Sequence, residues 1–194
     1  MLKIKNPRLE IVDDKVYKLK GFKLTGYLNA YEFYCNSEEE RNEWVRKLRR
    51  VCVSSDVCKH YAFCGLLGEG SFSYVYKGIN TEDHKEYAIK RVEKRQVNKN
   101  ITPLLSLEEE IKVMRMLDHP NILKLYEVYE DELYVYMVEE LLKGGELSQE
   151  IKNKGIYSEK ETAIIMKRLL EILSYCHERR VMHLDLKLEN LILM

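Results

Sequence analysis

A turn containing two glycines lies between two apolar, β-prone runs at Leu67-Gly68-Glu69-Gly70-Ser71-Phe72-Ser73-Tyr74-Val75. Glycines let a backbone approach phosphate oxygens closely and offer N–H donors without a steric clash, so this turn could bind a phosphate group. A plain glycine-containing hairpin is the commoner explanation of such a segment. Phosphate binding therefore needs support from charged residues elsewhere in the chain.

One lysine and one glutamate could give that support. Glu86–Lys90 alternates in the manner of a strand, which places Ala88 and Lys90 on one face. Pro103 and the Ser106–Glu109 capping pair predict a helix further on. The apolar stripe of that helix contains Leu107, Glu110, Met114 and Leu117, whereas Glu108, Lys112 and Arg115 fall on a solvated side.

Glu110 lies in the middle of the apolar stripe and therefore needs a cationic partner. Burying an unpaired carboxylate would cost on the order of several kcal/mol. Lys90 is the natural candidate. A strand lysine taken alone would more often be a solvated edge residue. The predicted pairing with Glu110 is what makes Lys90 a candidate site residue.

A third polar group follows an apolar run at Val181-Met182-His183-Leu184-Asp185-Leu186-Lys187-Leu188-Glu189-Asn190. It resembles the catalytic loop of protein kinases. Together with the glycine turn, the Lys90 strand, the Glu110 helix and the segment Leu141–Leu147, it gives five motifs in the kinase order over residues 61–194. Gly-Gly-Glu-Leu and Leu-Asp-His-Pro-Asn-Ile are most similar to the calcium/calmodulin-dependent kinase group.

The kinase resemblance implies a role for each matching residue. Asp185 would accept the proton of the substrate hydroxyl, Lys187 would lie near the transferred phosphoryl group, and Asn190 would bind Mg²⁺. Lys90, held by Glu110, would contact the α- and β-phosphates of ATP. The Asp-Leu-Lys sequence favours serine and threonine as substrates. The expected ATP-binding residues are Leu67, Gly68, Glu69, Gly70, Ser71, Phe72, Ser73, Val75, Ala88, Lys90, Glu110, Glu140, Leu142 and Glu146.

The sequence departs from the kinase pattern at four positions. Ser73 replaces the third glycine of the turn, and Glu139 falls at the rear of the adenine pocket, where an apolar residue, Thr or Met is usual. Leu184 and Leu188 replace an arginine and a proline of the catalytic loop. Because that arginine pairs with a phosphorylated activation loop, control of that kind is not expected. The 194 residues also contain no Asp-Phe-Gly, so we expect a kinase domain truncated before this motif.

The first 51 residues have a different organisation. Lys15–Leu19 and Tyr31–Cys35 read as short strands. A helix is expected from Ser37, with a Ser37–Glu40 capping box, and Trp44 is predicted to face inward on a stripe with Leu48 and Val51. The basic last turn of that helix complements the helix dipole, and a lipid or nucleic-acid patch is the alternative.

Residues 31–44 resemble the end of a pleckstrin-homology domain, in which a last strand leads into a helix with an inward tryptophan. The fold class expected is α+β: a kinase-like fold at residues 61–194, preceded by a linker at 52–60 and by the C-terminal part of a pleckstrin-homology-type β-sandwich at 1–51. The early strands that carry the head-group ligands of that family are missing, which argues against phosphoinositide binding.

Bulk composition favours a cytosolic signalling protein. Lys and Arg number 32, as do Asp and Glu, so no global attraction to nucleic acid is expected. The five cysteines lack C-x-x-C spacing and are expected to be reduced thiols. A membrane-spanning run of about 20 apolar residues and a signal peptide are both absent from the sequence. We expect a cytoplasmic location, with peripheral membrane contact in a longer form as the second option.

The function expected from the sequence is ATP- and Mg²⁺-dependent phosphorylation of serine or threonine in a protein substrate, without turnover by the 194 residues alone. Two alternatives stay open. One is a non-catalytic, nucleotide-binding pseudokinase or scaffold, and the other is a membrane-adaptor module.

Overall fold

The structure, a computed structural model, describes residues 6–26, 28–70, 73–94 and 101–193, and it describes the side chains of the helix at 101–116 from residue 107 onward. The chain forms two compact units. The first contains Met1–Arg115 with Lys124–Glu140, and the second contains Met116–Leu123 with Leu141–Met194.

Among the residues described, nine strands of the first unit form a single sheet in the order β3-β2-β1-β4-β8-β9-β7-β6-β5. The strands are β1 (Arg8–Asp14), β2 (Leu19–Thr25), β3 (Ala30–Cys35), β4 (Val53–Ser54), β5 (Tyr61–Glu69), β6 (Ser73–Asn80), β7 (Glu86–Glu93), β8 (Leu125–Glu130) and β9 (Tyr134–Glu140). Helices α1 (Glu38–Leu48) and α2 (Ile101–Met116) accompany this sheet, and α2 ends one residue beyond the first unit.

The N-terminal strands β1, β2 and β3 form an antiparallel meander, and α1 packs on it. Leu9, Phe22, Val45 and Cys52 form the core between them. A pleckstrin-homology-type sandwich is not confirmed, because the described residues of this part form one layer of sheet with one helix, and β4 joins that layer to the remaining strands. The division into domains at residues 51 and 61 stays a prediction. The expected linker contains β4 and a 3₁₀ turn at Val57–Lys59.

Two predictions for the N-terminal part are confirmed. The second expected strand is β3, and α1 begins after Ser37, whose Oγ accepts a hydrogen bond from the N–H of Glu40 at 3.1 Å. The reciprocal bond of the capping box runs one residue earlier than expected, because the Glu40 carboxylate accepts from the N–H of Asn36 at 3.0 Å.

The prediction of a strand at Lys15–Leu19 is wrong. Residues 15–18 form the turn between β1 and β2. Asp14 Oδ1 accepts hydrogen bonds from the N–H groups of Val16 and Tyr17, at 2.8 and 3.0 Å, and Lys18 has φ +55°. An aspartate that bonds to the following backbone stabilises a turn, and this local bond outweighs the β-propensity of the run.

The prediction that Trp44 faces inward is also wrong, because half of its surface is exposed. The buried residues of α1 are Arg41 and Val45. Arg41 is buried because its guanidinium donates to Asp13 and Glu38, both at 2.8 Å, so its charge is paired. The buried stripe is therefore shifted by one position toward an arginine that a hydropathy pattern places on the surface.

Helix α2 packs on the middle of the sheet. The core there consists of Val53, Val92, Leu107, Ile111, Leu125, Val128, Val135 and Met137. The helix begins at Ile101, so Ser106 lies inside it and the predicted capping pair is not its start. Pro103 falls in the first turn instead, where no intrahelical N–H donor is required.

The second unit contains α3 (Leu147–Lys154) and α4 (Glu159–Glu178). The spacing of Ser158 and Glu161 predicts a capping box, and it is present at the start of α4. The apolar residues of this helix cover a broad arc, which predicts burial on more than one side, yet Ile164 is 49% exposed and Leu170 is 59% exposed. The part of the unit that the structure describes therefore covers the apolar arc only in part, with Ile165, Leu169, Ile172 and Leu173 half-buried.

The segment after residue 190 pairs with the loop before α3. The N–H of Leu147 donates to the carbonyl of Leu191 at 2.8 Å, and the N–H of Leu193 donates to the carbonyl of Gly145 at 2.8 Å. A Cβ on Gly144 would lie 2.2 Å from the carbonyl oxygen of Leu193, so only glycine allows this approach. In the ranges described, neither unit has a helix both long and apolar enough to cross a membrane.

Candidate active site

The predicted glycine turn lies at the end of the β5–β6 hairpin. Gly68 is paired with Val75, and the N–H of Gly70 donates to the carbonyl of Ser73 at 2.8 Å. The hairpin is therefore confirmed on both sides of its tip. Ser71 and Phe72, which were expected to contact ATP, lie outside the described residues.

One face of the sheet brings several of the predicted ATP-binding residues together. Val75 lies opposite Lys90 across β6 and β7, and Ala88 lies opposite Glu139 across β7 and β9. Directly opposed residues of antiparallel strands project to the same side, and Ala88 and Lys90 are two residues apart on one strand. All four side chains therefore belong to one face.

The predicted ion pair is present in the first unit. Lys90 Nζ lies 2.7 Å from Glu110 Oε1, with the two side chains 25% and 40% exposed. The neighbours of Glu110 on α2, Leu107 and Ile111, are buried in the core and hold the helix against the sheet. Glu110 thus lies at the margin of the buried stripe, where its carboxylate reaches Lys90 without complete loss of solvent.

Glu139 is the buried acid of this region, with 6% of its surface exposed. The pKa of its carboxyl group is raised to about 7, chiefly by burial; the positive charge of Lys90 opposes the rise, and the negative charge of Glu110 contributes to it. The carboxyl groups of Glu110 and Glu139 therefore both interact electrostatically with the ammonium group of Lys90. The sequence indicated Glu139 as a departure from the kinase pattern, and the structure shows that it lies in the interior.

Glu139→Gln is expected to weaken the pH dependence of stability. The folded-state pKa of about 7 lies above the ordinary value of 4.5. Between these values the folded chain keeps a proton that the unfolded chain has lost. The free energy of unfolding should therefore fall as pH rises from 4.5 to 7, by about 1–3 kcal/mol in the native chain. The glutamine variant should lose this contribution.

Urea denaturation at several pH values between 4.5 and 8 measures the effect. Glu132→Gln, at an exposed residue of the β8–β9 loop, is the matched control and should keep the native slope. Equal slopes for the native chain and Glu139→Gln would show that Glu139 does not titrate in this range.

The residues expected to contact adenine and ribose are divided between the units. Glu140 belongs to the first unit, and its N–H donates to the carbonyl of Lys124 at 3.0 Å, so its carbonyl is the group to consider for a ligand. Leu142 and Glu146 belong to the second unit, where Glu146 Oε2 accepts from the Ser148 hydroxyl at 2.8 Å. Their roles toward ATP stay predictions.

The second unit brings the three predicted catalytic-loop residues together. Lys187 Nζ lies 3.0 Å from Asp185 Oδ2, and Asn190 Nδ2 donates to the same oxygen at 3.1 Å and to the Asp185 carbonyl at 2.8 Å. A 3₁₀ turn at Leu188–Asn190 supplies the spacing. Leu184, just before the aspartate, has φ +61°. This left-handed conformation is energetically unfavourable for a residue with a branched side chain, and it turns the chain sharply.

The electrostatics of this loop keep Asp185 ionised. The hydrogen bond from Lys187 lowers the pKa of the Asp185 carboxyl group, and the bond from Asn190 lowers it further. An exposed carboxylate with an adjacent ammonium can accept a proton from a hydroxyl group while the ammonium approaches an anion. Because Asn190 uses its Nδ2 on Asp185, its Oδ1 is the atom that suits Mg²⁺, a cation that prefers oxygen ligands.

Comparison with known proteins identifies the family of this chain. Residues 61–194 match the protein kinase domain family. The chain therefore belongs to the protein kinase family, and its resemblance is to serine/threonine kinases. This family generally uses ATP and Mg²⁺.

Three relatives illustrate the match. The chain is 47% identical over 126 residues to calcium-dependent protein kinase 5 of Plasmodium berghei (strain Anka), and the aligned region covers 65% of this chain and 22% of that protein. It is 39% identical over 148 residues to calcium/calmodulin-dependent protein kinase type 1 of Caenorhabditis briggsae, covering 76% and 41%. It is 38% identical over 139 residues to myosin light chain kinase A of Dictyostelium discoideum, covering 72% and 46%. The chain thus spans less than half the length of each.

Proposed function

We propose that the chain carries the nucleotide-positioning and catalytic-loop residues of a kinase that transfers the γ-phosphoryl group of ATP to a serine or threonine hydroxyl in a protein. The observation that supports this most strongly is the contact of Asp185 with Lys187 and Asn190 within one loop. A carboxylate, an ammonium group and an amide oxygen are the groups that this transfer requires at the acceptor side.

Each group has a separate task in the proposed reaction. Lys90, oriented by Glu110, neutralises charge on the α- and β-phosphates, and the glycine turn offers backbone N–H groups to the phosphates. Asp185 takes the proton of the attacking hydroxyl, and Lys187 stabilises charge on the transferred group. Asn190 is the proposed magnesium ligand, and the bound cation supplies additional neutralisation of the phosphates.

A non-catalytic nucleotide-binding role is the second candidate, and the departures from the kinase pattern at Glu139 and Leu184 favour it. Binding of ATP without transfer is the activity that this role predicts.

The 194-residue polypeptide is expected to bind Mg²⁺–ATP but to transfer no phosphate above background, because the charge on the transferring group lacks one of its metal-binding carboxylates. Calorimetry with Mg²⁺–ATP and incubation with labelled ATP and a basic serine peptide measure the two properties. A longer polypeptide, continued through Asp-Phe-Gly and the rest of a kinase large lobe, should phosphorylate the serine peptide and ignore a matched tyrosine peptide.

Three results would each contradict a separate part of the proposal. Failure of the 194 residues to bind ATP would exclude the nucleotide site. Transfer by the 194 residues, lost in Asp185→Asn, would show that the missing motif is dispensable. Lack of transfer by the longer polypeptide, with ATP binding intact, would favour the non-catalytic role.

A further inference from the structure

A four-residue segment between α1 and the kinase residues, Val51–Ser54, contacts three elements of the first unit, and we name it the tether. Its backbone forms β4, which pairs in parallel with β1 on one side and with β8 on the other. The N–H of Val53 also donates to the carbonyl of Pro7 at 2.7 Å. The tether is therefore held by hydrogen bonds on both of its edges.

The side chain of Val53 connects the tether to α2. Val53 is 1% exposed and belongs to the same core as Leu107 and Ile111, the two buried residues that follow each other on α2 at a spacing of four. The kinase helix that carries Glu110 is thus packed partly against a residue that precedes the kinase residues in the chain.

Arg115 makes a second connection between α2 and the tether. Its Nη1 donates to the carbonyl of Val51 at 3.0 Å, and its Nη2 donates to the carbonyl of Cys52 at 2.8 Å. The sequence placed Arg115 on a solvated side of the helix, and that prediction is wrong. A guanidinium group can engage two adjacent carbonyls at once because its donors lie in a rigid plane, which a lysine cannot match.

The packing of Val53 and the two hydrogen bonds of Arg115 together restrain rotation of α2 about its axis. Residues 107, 111 and 115 fall at successive spacings of four and form one stripe along the helix. Glu110 projects beside that stripe, and its carboxylate lies 2.7 Å from Lys90. A rotation of about 20° at a side-chain radius of about 5–6 Å would move the carboxylate by about 2 Å and break this contact.

The N-terminal meander supports the tether from its other edge. β1 carries Arg8, which pairs with Glu130 on β8, and Glu130 Oε1 lies 2.6 Å from Lys94 Nζ. The Glu130 side chain is 1% exposed, so its charge depends on these two cations. Displacing the meander would therefore leave a buried carboxylate less well paired and would release one edge of β4.

We infer that Arg115 is a positioning residue for Glu110, and that the tether and the N-terminal meander hold the kinase helix in the rotation that forms the Lys90–Glu110 pair. The effect on ATP rests on the proposed function, whereas the effect on α2 does not. The N-terminal residues thereby strengthen nucleotide binding by the kinase residues of the same chain.

A cycle of variants of the 194-residue chain tests whether Arg115 acts through Glu110. Arg115→Ala is expected to weaken Mg²⁺–ATP binding about fivefold, and Glu110→Gln about tenfold. If Arg115 works by placing Glu110, the double variant should bind no more weakly than Glu110→Gln alone. Arg115→Lys, which keeps the charge but not the planar fork, should fall between the native chain and Arg115→Ala.

Hydrogen exchange of residues 107–116, followed by mass spectrometry without nucleotide, is the second measurement. Arg115→Ala should exchange faster there than the native chain. Lys112→Ala is the matched control, because Lys112 is an exposed cation on the same helix that pairs with Glu109 at 3.4 Å. It should change neither exchange nor ATP affinity.

The outcomes separate this inference from the proposed function. If the double variant binds Mg²⁺–ATP about fiftyfold more weakly than the native chain, the product of the two single effects, the inference is overturned. Arg115 would then act independently of Glu110. If the native chain binds ATP no better than Lys90→Met, the proposed function fails, and hydrogen exchange then decides the inference alone. Equal exchange in Arg115→Ala and Lys112→Ala would overturn it, and faster exchange in Arg115→Ala would uphold it.

Discussion

Asp185→Asn is expected to lower phosphoryl transfer about 10²–10⁴-fold, with ATP affinity unchanged, in a longer polypeptide that continues through Asp-Phe-Gly. The carboxylate accepts a hydrogen bond from Asn190 and pairs with Lys187, and these contacts keep its pKa below the ordinary value. An asparagine keeps the size of the side chain but cannot accept the hydroxyl proton. The loss should therefore fall on turnover, because in the proposed reaction Asp185 acts on the acceptor and not on ATP.

Steady-state kinetics with a serine peptide, together with calorimetry for ATP, measure the two quantities. Glu189→Gln is the matched control, since Glu189 is an exposed acid of the same loop. Full turnover in Asp185→Asn would remove Asp185 from the reaction.

Lys90→Met is expected to lower transfer by about 10²-fold or more and to weaken ATP binding, because the phosphates lose their positioning cation. Glu110→Gln should have a smaller effect, since Lys90 is then present but less well oriented. The 2.7 Å contact between Lys90 and Glu110 is the physical reason for this order. The change in the Michaelis constant for ATP separates a loss of ground-state binding from a loss of turnover.

A second strand lysine gives the control for Lys90. Lys23 on β2 also pairs with a glutamate, Glu32 on β3, at 3.3 Å, but it belongs to the N-terminal meander. Lys23→Met should leave both kinetic constants unchanged. Similar behaviour of Lys90→Met and Lys23→Met would show that Lys90 has no special role.

Side-chain contacts within short segments could be predicted from the sequence. Asp185, Lys187 and Asn190 lie within six residues, so one turn brings them together. The contact between Lys90 and Glu110 spans two elements, yet it could be predicted because a carboxylate placed by the sequence pattern in an apolar stripe requires a cation. The starts of α1 and α4 were equally predictable, because a capping serine acts within three residues.

Features that depend on distant partners could not be predicted in this way. Arg41 and Arg115 read as surface residues, since their partners, Asp13 and the carbonyls of Val51 and Cys52, lie far away in the sequence. The two residues of β4 are too few for any periodicity, and their pairing with β1 and β8 is nonlocal. Continuity of the sheet across residues 51–61 therefore had no local signal.

The strand order has a consequence for synthesis on the ribosome. β4 lies between β1 and β8, and Val53 pairs with Val128, which is translated much later. The meander and α1 can form early, because β1, β2 and β3 pair with near neighbours in sequence. Until β8 emerges, the outer edge of β4 presents unpaired backbone groups, and an open strand edge is a site for association with other chains. The nascent chain therefore carries this open strand edge while residues 55–128 are being made.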